Sequence, residues 1–423
     1  MKTLEGDQRF VEVQRALSRG ESATIDGAWG SACALSLAAL VGNRPSAMVI
    51  VVPRVGDVES LAADVATFSG ARPLVFPAWE TLPEEQDTAD PVFAGRLRSL
   101  SALQRSTSPV LVASIAALMQ PVPSREDRNA ARRRFATGEE LDPEELLQWL
   151  VSRGLVHTTA VALPGEFSRH GGIIDVFAPD ARDPVRLEFF GDEIESIRSF
   201  DAETQRQREL LTEVELCLVE PTEVTGRGEL LSQSLPDGTW VALVELPELK
   251  QEGEDYRQRL GQPDELATVE TVLAGLIEFP SVTVAALAAA SMETTCHLGV
   301  ESIERFVGPR TRVLEELQET LGSDDRVLVA CHNEAERGRL VEMLDELPQS
   351  STEGIGRLVD KAGLCVGRLD RGFRLVGSRL VVLGDNELFN RTEIRPQTRG
   401  RSDARAIDSF LDLEPGNLVV HLT

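Results

Sequence analysis

Apolar positions in the first 115 residues alternate between two rhythms. Phe10, Val11, Val13 and Leu17 recur at helical spacing and predict a helix over 7–19. Ala23-Thr24-Ile25 reads as a strand, followed by a turn at Gly27 and Gly30 and an apolar helical run from Cys33 to Val41. Met48 to Pro53 is a buried strand, Val58 to Phe68 a helix and Leu74 to Phe76 a strand. A loop at Pro77–Pro83, a helix from Pro91 to Leu103 and a strand from Val110 to Ala113 complete the stretch. Short apolar strands alternating with helices predict a parallel α/β sheet.

The rhythm changes near residue 125. Arg133 to Thr137 has the length of a strand. Asp142-Pro143-Glu144-Glu145 is a helix start, with an N-cap aspartate, proline at the first helical position and acids in the first turn. Antiparallel β follows: a strand over Gly172–Phe177, then Val185–Phe190 and Ile194–Phe200 around Gly191-Asp192-Glu193, which read as a hairpin. Strand–helix alternation returns with Trp240–Val244 and Val282–Ala285, and again with Val327–Ala330 and Arg379–Leu383. Residues 391–409 are polar and read as a linker.

Composition narrows the function classes. The chain has 423 residues, 42% of them hydrophobic, and no apolar run of spanning length, so no membrane segment is expected. The polar start at Met1-Lys2-Thr3 is not a signal peptide, and a cytoplasmic location is the expectation. Cysteines 33, 217, 296, 331 and 365 and histidines 157, 170, 297, 332 and 421 are dispersed, which predicts reduced thiols and no metal site. A net charge of −26 disfavours bulk attraction to nucleic acid. The one dense cationic stretch is Arg125, Arg128 and Arg132-Arg133-Arg134, read as a solvated face that could alternatively touch DNA or an acidic partner.

The first βα turn sits where a phosphate-binding loop would lie. Such a loop reads G-x-x-x-x-G-K-[ST], with lysine on the terminal phosphates and a hydroxyl on magnesium. Here Gly27 remains, but Ala32 replaces the second glycine, Cys33 the lysine and Ala34 the hydroxyl residue. The only lysines are Lys2, Lys250 and Lys361, and neither of the latter two follows a glycine-rich turn. The strand that should end in two metal-binding acids runs into Glu245 and then Leu246. Both halves of a nucleotide site are broken, so no catalytic residue and no cofactor is expected. The economical reading is a tight turn before a helix.

The richest segment is Pro164–Phe177, with Pro184–Asp201 and Thr204-Gln205-Arg206 after it. It resembles the UvrA-binding domain shared by UvrB and the transcription-repair coupling factors. Phe76-Pro77-Ala78-Trp79-Glu80-Thr81-Leu82-Pro83 looks like the coupling-factor loop, and the tyrosine-rich DNA-inserting hairpin of UvrB is absent, Tyr256 being the single tyrosine. Val327–Cys331 with His332-Asn333-Glu334, Gly372–Leu375 and Leu383–Leu388 are similar to that family's third domain, and Phe410–His421 to the entry of its polymerase-interacting domain. The resemblance implies a degenerate RecA-like parallel sheet (1–124 and 218–320) with an inserted small α+β UvrA-binding domain (125–217). A small α/β domain (321–390) and a linker with the start of a further domain (391–423) would follow. It implies UvrA as partner, with RNA polymerase and DNA engaged only through domains outside this chain. The rival reading is an ATP-dependent, UvrB-like helicase subunit.

Alternation along Val185–Phe190 puts Arg186, Glu188 and Phe190 on one face and Val185, Leu187 and Phe189 on the other. An arginine beside an exposed aromatic has the composition of an interface hot spot. The pattern alone equally allows Phe190 to be core and Arg186 a solvated charge. The resemblance assigns UvrA contact to the positions of Arg186 and Phe190. A third family contact is an arginine directly before the Gly-Gly pair; here His170 stands there, and the arginine is one place earlier, at Arg169. One residue along a strand is the opposite face.

Overall fold

The computed structural model describes Leu4, residues 6–80, 88, 90–220, 228–261, 263–288, 293–303, 325–345, 362–384 and 387. The chain opens with α1 (Gln8–Ser18), β1 (Ala23–Asp26), α2 (Ser31–Val41), β2 (Met48–Val52) and α3 (Val58–Ser69). Next come β3 (Leu74–Phe76), α4 (Pro91–Arg105), β4 (Val110–Ser114) and the short α5 (Ile115–Met119). α6 (Arg125–Ala130), β5 (Arg132–Ala136), α7 (Pro143–Ser152), β6 (Val156–His157), β7 (Glu166–His170) and β8 (Ile173–Val176) lead to the hairpin β9 (Val185–Phe190) and β10 (Glu193–Phe200). β11 (Gln207–Leu211) and β12 (Glu213–Cys217) precede β13 (Trp240–Val244), α8 (Leu246–Arg259), α9 (Val269–Leu276), β14 (Ser281–Ala285), β15 (Thr294–His297) and β16 (Val300–Ser302). The remaining elements are β17 (Arg326–Cys331), α10 (Glu334–Asp345), β18 (Ala362–Val366), β19 (Phe373–Leu375) and β20 (Leu380–Gly384).

Seven strands form the expected parallel sheet, in the order β15-β1-β14-β13-β2-β4-β3. Because side chains alternate across a strand, β2 sends Met48, Ile50 and Val52 to one face and Val49 and Val51 to the other. The first set packs with α1, α2 and α3, the second with α4, α5, α8 and α9. Both faces are covered, which is why these strands read as continuous apolar runs. Helix α2 is buried on every side and is correspondingly apolar. It begins at Ser31, two residues before the expected Cys33, because Gly30 at φ 54° ends the turn immediately ahead of it.

A second sheet runs β11-β10-β9-β8-β7-β6, antiparallel except for the short β6–β7 pair. All of it derives from residues between β4 and β13 of the first sheet. Its inner face carries Phe167, Ile174, Val176, Val185, Leu187, Ile194 and Ile197, closed by Leu146 and Leu150 of α7. That helix is capped as its sequence predicts: the Asp142 side chain accepts the Glu144 amide, and Pro143 fills the first turn. Gly172 is required beside β9, since a Cβ there would lie 2.8 Å from the Phe189 carbonyl oxygen. Strands β5 and β12 form a two-stranded antiparallel pair.

The third sheet, β16-β19-β20-β17-β18, is mixed. Its strand β20 begins at Leu380 and not at the expected Arg379, which is left-handed at φ 50°. Leu369, Phe373, Leu375, Leu380 and Val382 belong to the same core as α2 and α3, with Phe68 edge-on to Phe373 at 6.3 Å. Among the described residues no helix is long and apolar enough to cross a membrane.

Candidate functional site

The second sheet has one greased face and one polar face. Strand register places Asp175, Arg186, Arg198 and Leu210 in a row across β8, β9, β10 and β11 on the polar side. His170, Ile173, Glu188 and Ser196 form the next row, and Phe190 lies beyond, opposite Glu193. Phe190 is 78% exposed, which removes the reading of it as core. Phe189 turns inward and packs against the sheet's own core.

Arg186 is not a solvated charge either. Its Nε and Nη2 donate to Asp175 Oδ1 and Oδ2, each at 2.7 Å, and its guanidinium lies 4.9 Å from the Phe200 ring. Asp175 is almost wholly buried, and Arg186 retains 26% side-chain exposure. The carboxylate raises the arginine pKa further, so the cation is permanent. Two of its five N–H groups are used in this fork. Beside it Arg198 pairs with Glu188, which also accepts the Ser196 hydroxyl.

Arg169 and His170 separate as the register requires. Arg169 lies opposite buried Ile174, on the inner side, and pairs with Glu144 of α7. His170 lies opposite Ile173 on the polar side, and its Nε2 donates to the Thr159 carbonyl at 2.7 Å. The structure thus brings His170, Arg186 and Phe190 to one face and leaves Arg169 on the other.

The cationic stretch disperses. Arg128 is 1% exposed and donates to the Pro123 carbonyl. Arg132 bonds Gln104 at 2.6 Å, Arg133 pairs with Glu145 at 2.9 Å, and Arg134 pairs with Glu213. The expectation of a solvated face holds for Arg125 and for Arg134, which stays 66% exposed, and is corrected for Arg128, Arg132 and Arg133, which α6 and β5 turn toward partners in the chain.

At the first βα turn the chain's own atoms fill the space. Gly27, at φ 73°, lies under residue 298, where a Cβ would meet the Leu298 carbonyl at 2.1 Å. The amides of Ala28, Ala32 and Cys33, which in a phosphate loop would point at the ligand, donate to Ala285, Trp29 and Gly30 carbonyls. Ser31 Oγ, at the N-terminus of α2, donates to Asp64 Oδ2 at 2.5 Å and accepts the Arg371 amide at 3.1 Å. Asp64 also accepts the Asp370 amide at 3.1 Å. Burial, with help from Asp370 and Glu387, pushes the Asp64 carboxyl up to about 7. Burial, then Glu245 and Asp64, pushes the Cys33 thiol to about 12, so position 33 carries no charge at neutral pH. Ala34 is wholly buried. Glu245 is fixed at φ 53° with its carboxylate on the Ala286 amide at 2.5 Å, and Leu246 simply starts α8.

The loop from Phe76 holds a group that the sequence reading passed over. Arg96 is fully buried with no carboxylate paired to it among the described residues, and donates to the carbonyls of Pro77, Ala117, Gln120 and Pro121 and to the Gln120 side chain. It stacks on Phe76 at 4.3 Å and Trp79 at 5.1 Å, and burial lowers its pKa to about 9. Tyr256 Oη closes the knot on the Trp79 carbonyl at 2.6 Å. Residues Thr81-Leu82-Pro83 lie outside the described residues, as do Leu388 and the tail from 391 onward.

Comparison with known proteins supports the sequence resemblance. Residues 134–219 match the family model described as the UvrB interaction domain. The transcription-repair-coupling factor of Myxococcus xanthus is 36% identical over 220 residues, covering 50% of this chain and 18% of that protein. That of Staphylococcus aureus (strain bovine RF122 / ET3-1) is 23% identical over 499 aligned positions, covering 99% of this chain and 43% of that protein. The chain resembles transcription-repair coupling factors. It spans less than half the length of these relatives. A DEAD box protein from Methanococcus jannaschii aligns over 85% of this chain and 73% of its own at 10% identity, with a TM-score of 0.25 that carries no argument.

Proposed function

We propose that residues 125–217 form an inserted module that docks the excision-repair protein UvrA, and that this chain is the docking part of a transcription-repair coupling factor. One observation carries the reading: Phe190 stands 78% exposed on the polar face of the sheet that matches the UvrB interaction domain. Holding a phenylalanine side chain in water forgoes about 1.5–3 kcal/mol of burial. A partner that covers it recovers that energy, and the guanidinium of Arg186, four residues along the same face of β9, is held in place for charge-assisted contact.

In this reading residues 1–124 and 218–320 are a degenerate RecA-like scaffold, save β16 (Val300–Ser302), which pairs with β19 of the small α/β domain at 321–390 packed on it. The chain itself does not hydrolyse nucleotide. Asp64 stands near the helix N-terminus where a phosphate would be stabilised, and the loop at Asp370-Arg371 bonds across it. ATP-driven displacement of a stalled RNA polymerase, implied for the intact relatives, belongs to parts beyond the 43% this chain spans. Two experiments test this. Immobilised UvrA should retain the chain and lose it when Phe190→Ala is made. ATP with magnesium should leave the chain's melting temperature unchanged, and a saturable upward shift would revive the helicase-subunit reading.

A further inference from the structure

Leu210 sits on the edge strand β11 and is 69% exposed, while its neighbour Leu211 turns toward the core. Single exposed leucines are ordinary on protein surfaces. This one differs in its position. Arg186 lies opposite Arg198, and Arg198 opposite Leu210, so Leu210 shares the face of Phe190. Two strand spacings and four residues of rise place the two apolar side chains roughly 16 Å apart.

The ground between them is polar, and its two arginines carry their own counter-charges. Arg186 is matched by Asp175 and Arg198 by Glu188, and the Ser196 hydroxyl serves the same glutamate. The exposed acids Glu193 and Glu195 of β10 flank these pairs, Glu193 directly opposite Phe190. An apolar strip would desolvate ion pairs that already have their counter-charges, which is the less costly kind of polar burial.

We propose that Leu210 is a second apolar anchor of the docking face. Its partner surface then carries two apolar sockets, one for Phe190 and one for Leu210, joined by a strip that lies over the Arg186–Asp175 and Arg198–Glu188 pairs. The proposal rests on the docking reading above and extends the face by two strands.

The test titrates the full chain into purified UvrA at low and high salt, using the parent, Leu210→Ala and Phe190→Ala, with thermal melts of each. Leu210→Ala is expected to weaken binding roughly ten-fold, without changing its salt dependence and with an unchanged melting temperature. If Phe190→Ala abolishes binding while Leu210→Ala binds like the parent, the second anchor is wrong and the docking face stands. If both variants bind like the parent, the face itself is wrong and the anchor falls with it. A Leu210→Ala loss that disappears at high salt would also overturn the proposal, since an apolar anchor is not screened by salt.

Discussion

Arg186→Ala looks like the natural test of docking, and the structure predicts that it will mislead. The guanidinium holds Asp175 by two bonds of 2.7 Å, and the Asp175 side chain is only 3% exposed. Deleting one partner of a buried ion pair costs about 3–5 kcal/mol, because the other charge stays buried without a counter-charge. Arg186 keeps 26% exposure, so water softens this toward roughly 2–4 kcal/mol. At about 2–4 °C per kcal/mol, the melting temperature should fall by roughly 5–15 °C. Phe190→Ala, at 78% exposure, should stay within about 0.5 kcal/mol of the parent. Arg186→Ala combined with Asp175→Ala removes the orphaned carboxylate and should recover most of the loss. Thermal or urea unfolding of the four proteins at pH 7 decides the matter. An Arg186→Ala protein melting within a degree of the parent would mean that the fork on Asp175 contributes nothing to stability. If the prediction holds, any docking role of Arg186 has to be read against the Asp175→Ala background.

Restoring the phosphate-loop residues with Ala32→Gly, Cys33→Lys and Ala34→Thr should not restore nucleotide binding, since Leu298 and the Asp370-Arg371 loop still fill the turn; saturable binding of a fluorescent ATP analogue would show otherwise. Asp64 titrates near 7 in the folded chain against 3.8 as its ordinary value, so folding retains its proton across that window. Stability should therefore fall by a few kcal/mol as pH rises from about 4 to 7, and the slope should flatten in Asp64→Asn; parallel slopes in the two proteins would contradict this. Arg96→Lys keeps a charge but cannot reach the same acceptors, and should cost about 3 kcal/mol or more in an unfolding titration, whereas an unchanged midpoint would mean that the knot is redundant.

Much of the architecture could be read from periodicity, because strands buried on both faces leave unbroken apolar runs such as Met48–Val52 and Trp240–Val244. The exposed edge strand β11 left no such signal: Gln207, Arg208 and Glu209 look like loop, and only pairing with β10 makes them strand. The hairpin face was legible because alternation fixes it, and Phe190 fell where its parity put it. Parity could not reveal that Arg186 is forked onto Asp175, since their contact crosses from β9 to β8. Arg96 left a faint trace, one arginine three residues after Phe93 and four before Leu100, on the apolar stripe of α4. Its acceptors come from carbonyls distant in the chain, which no local pattern records. The departures from a phosphate-loop pattern at Ala32, Cys33 and Ala34 are plain in the sequence; the closure of the turn depends on β15 pairing with β1, which places residue 298, and on the loop at 370 and 371 reaching Ser31 and Asp64.

If Phe190 anchors a docked UvrA, calorimetric titration of the chain into purified UvrA will show saturable binding by the parent and at least ten-fold weaker binding by a Phe190→Ala variant that melts at the same temperature. Equal affinity of the two folded proteins would contradict it.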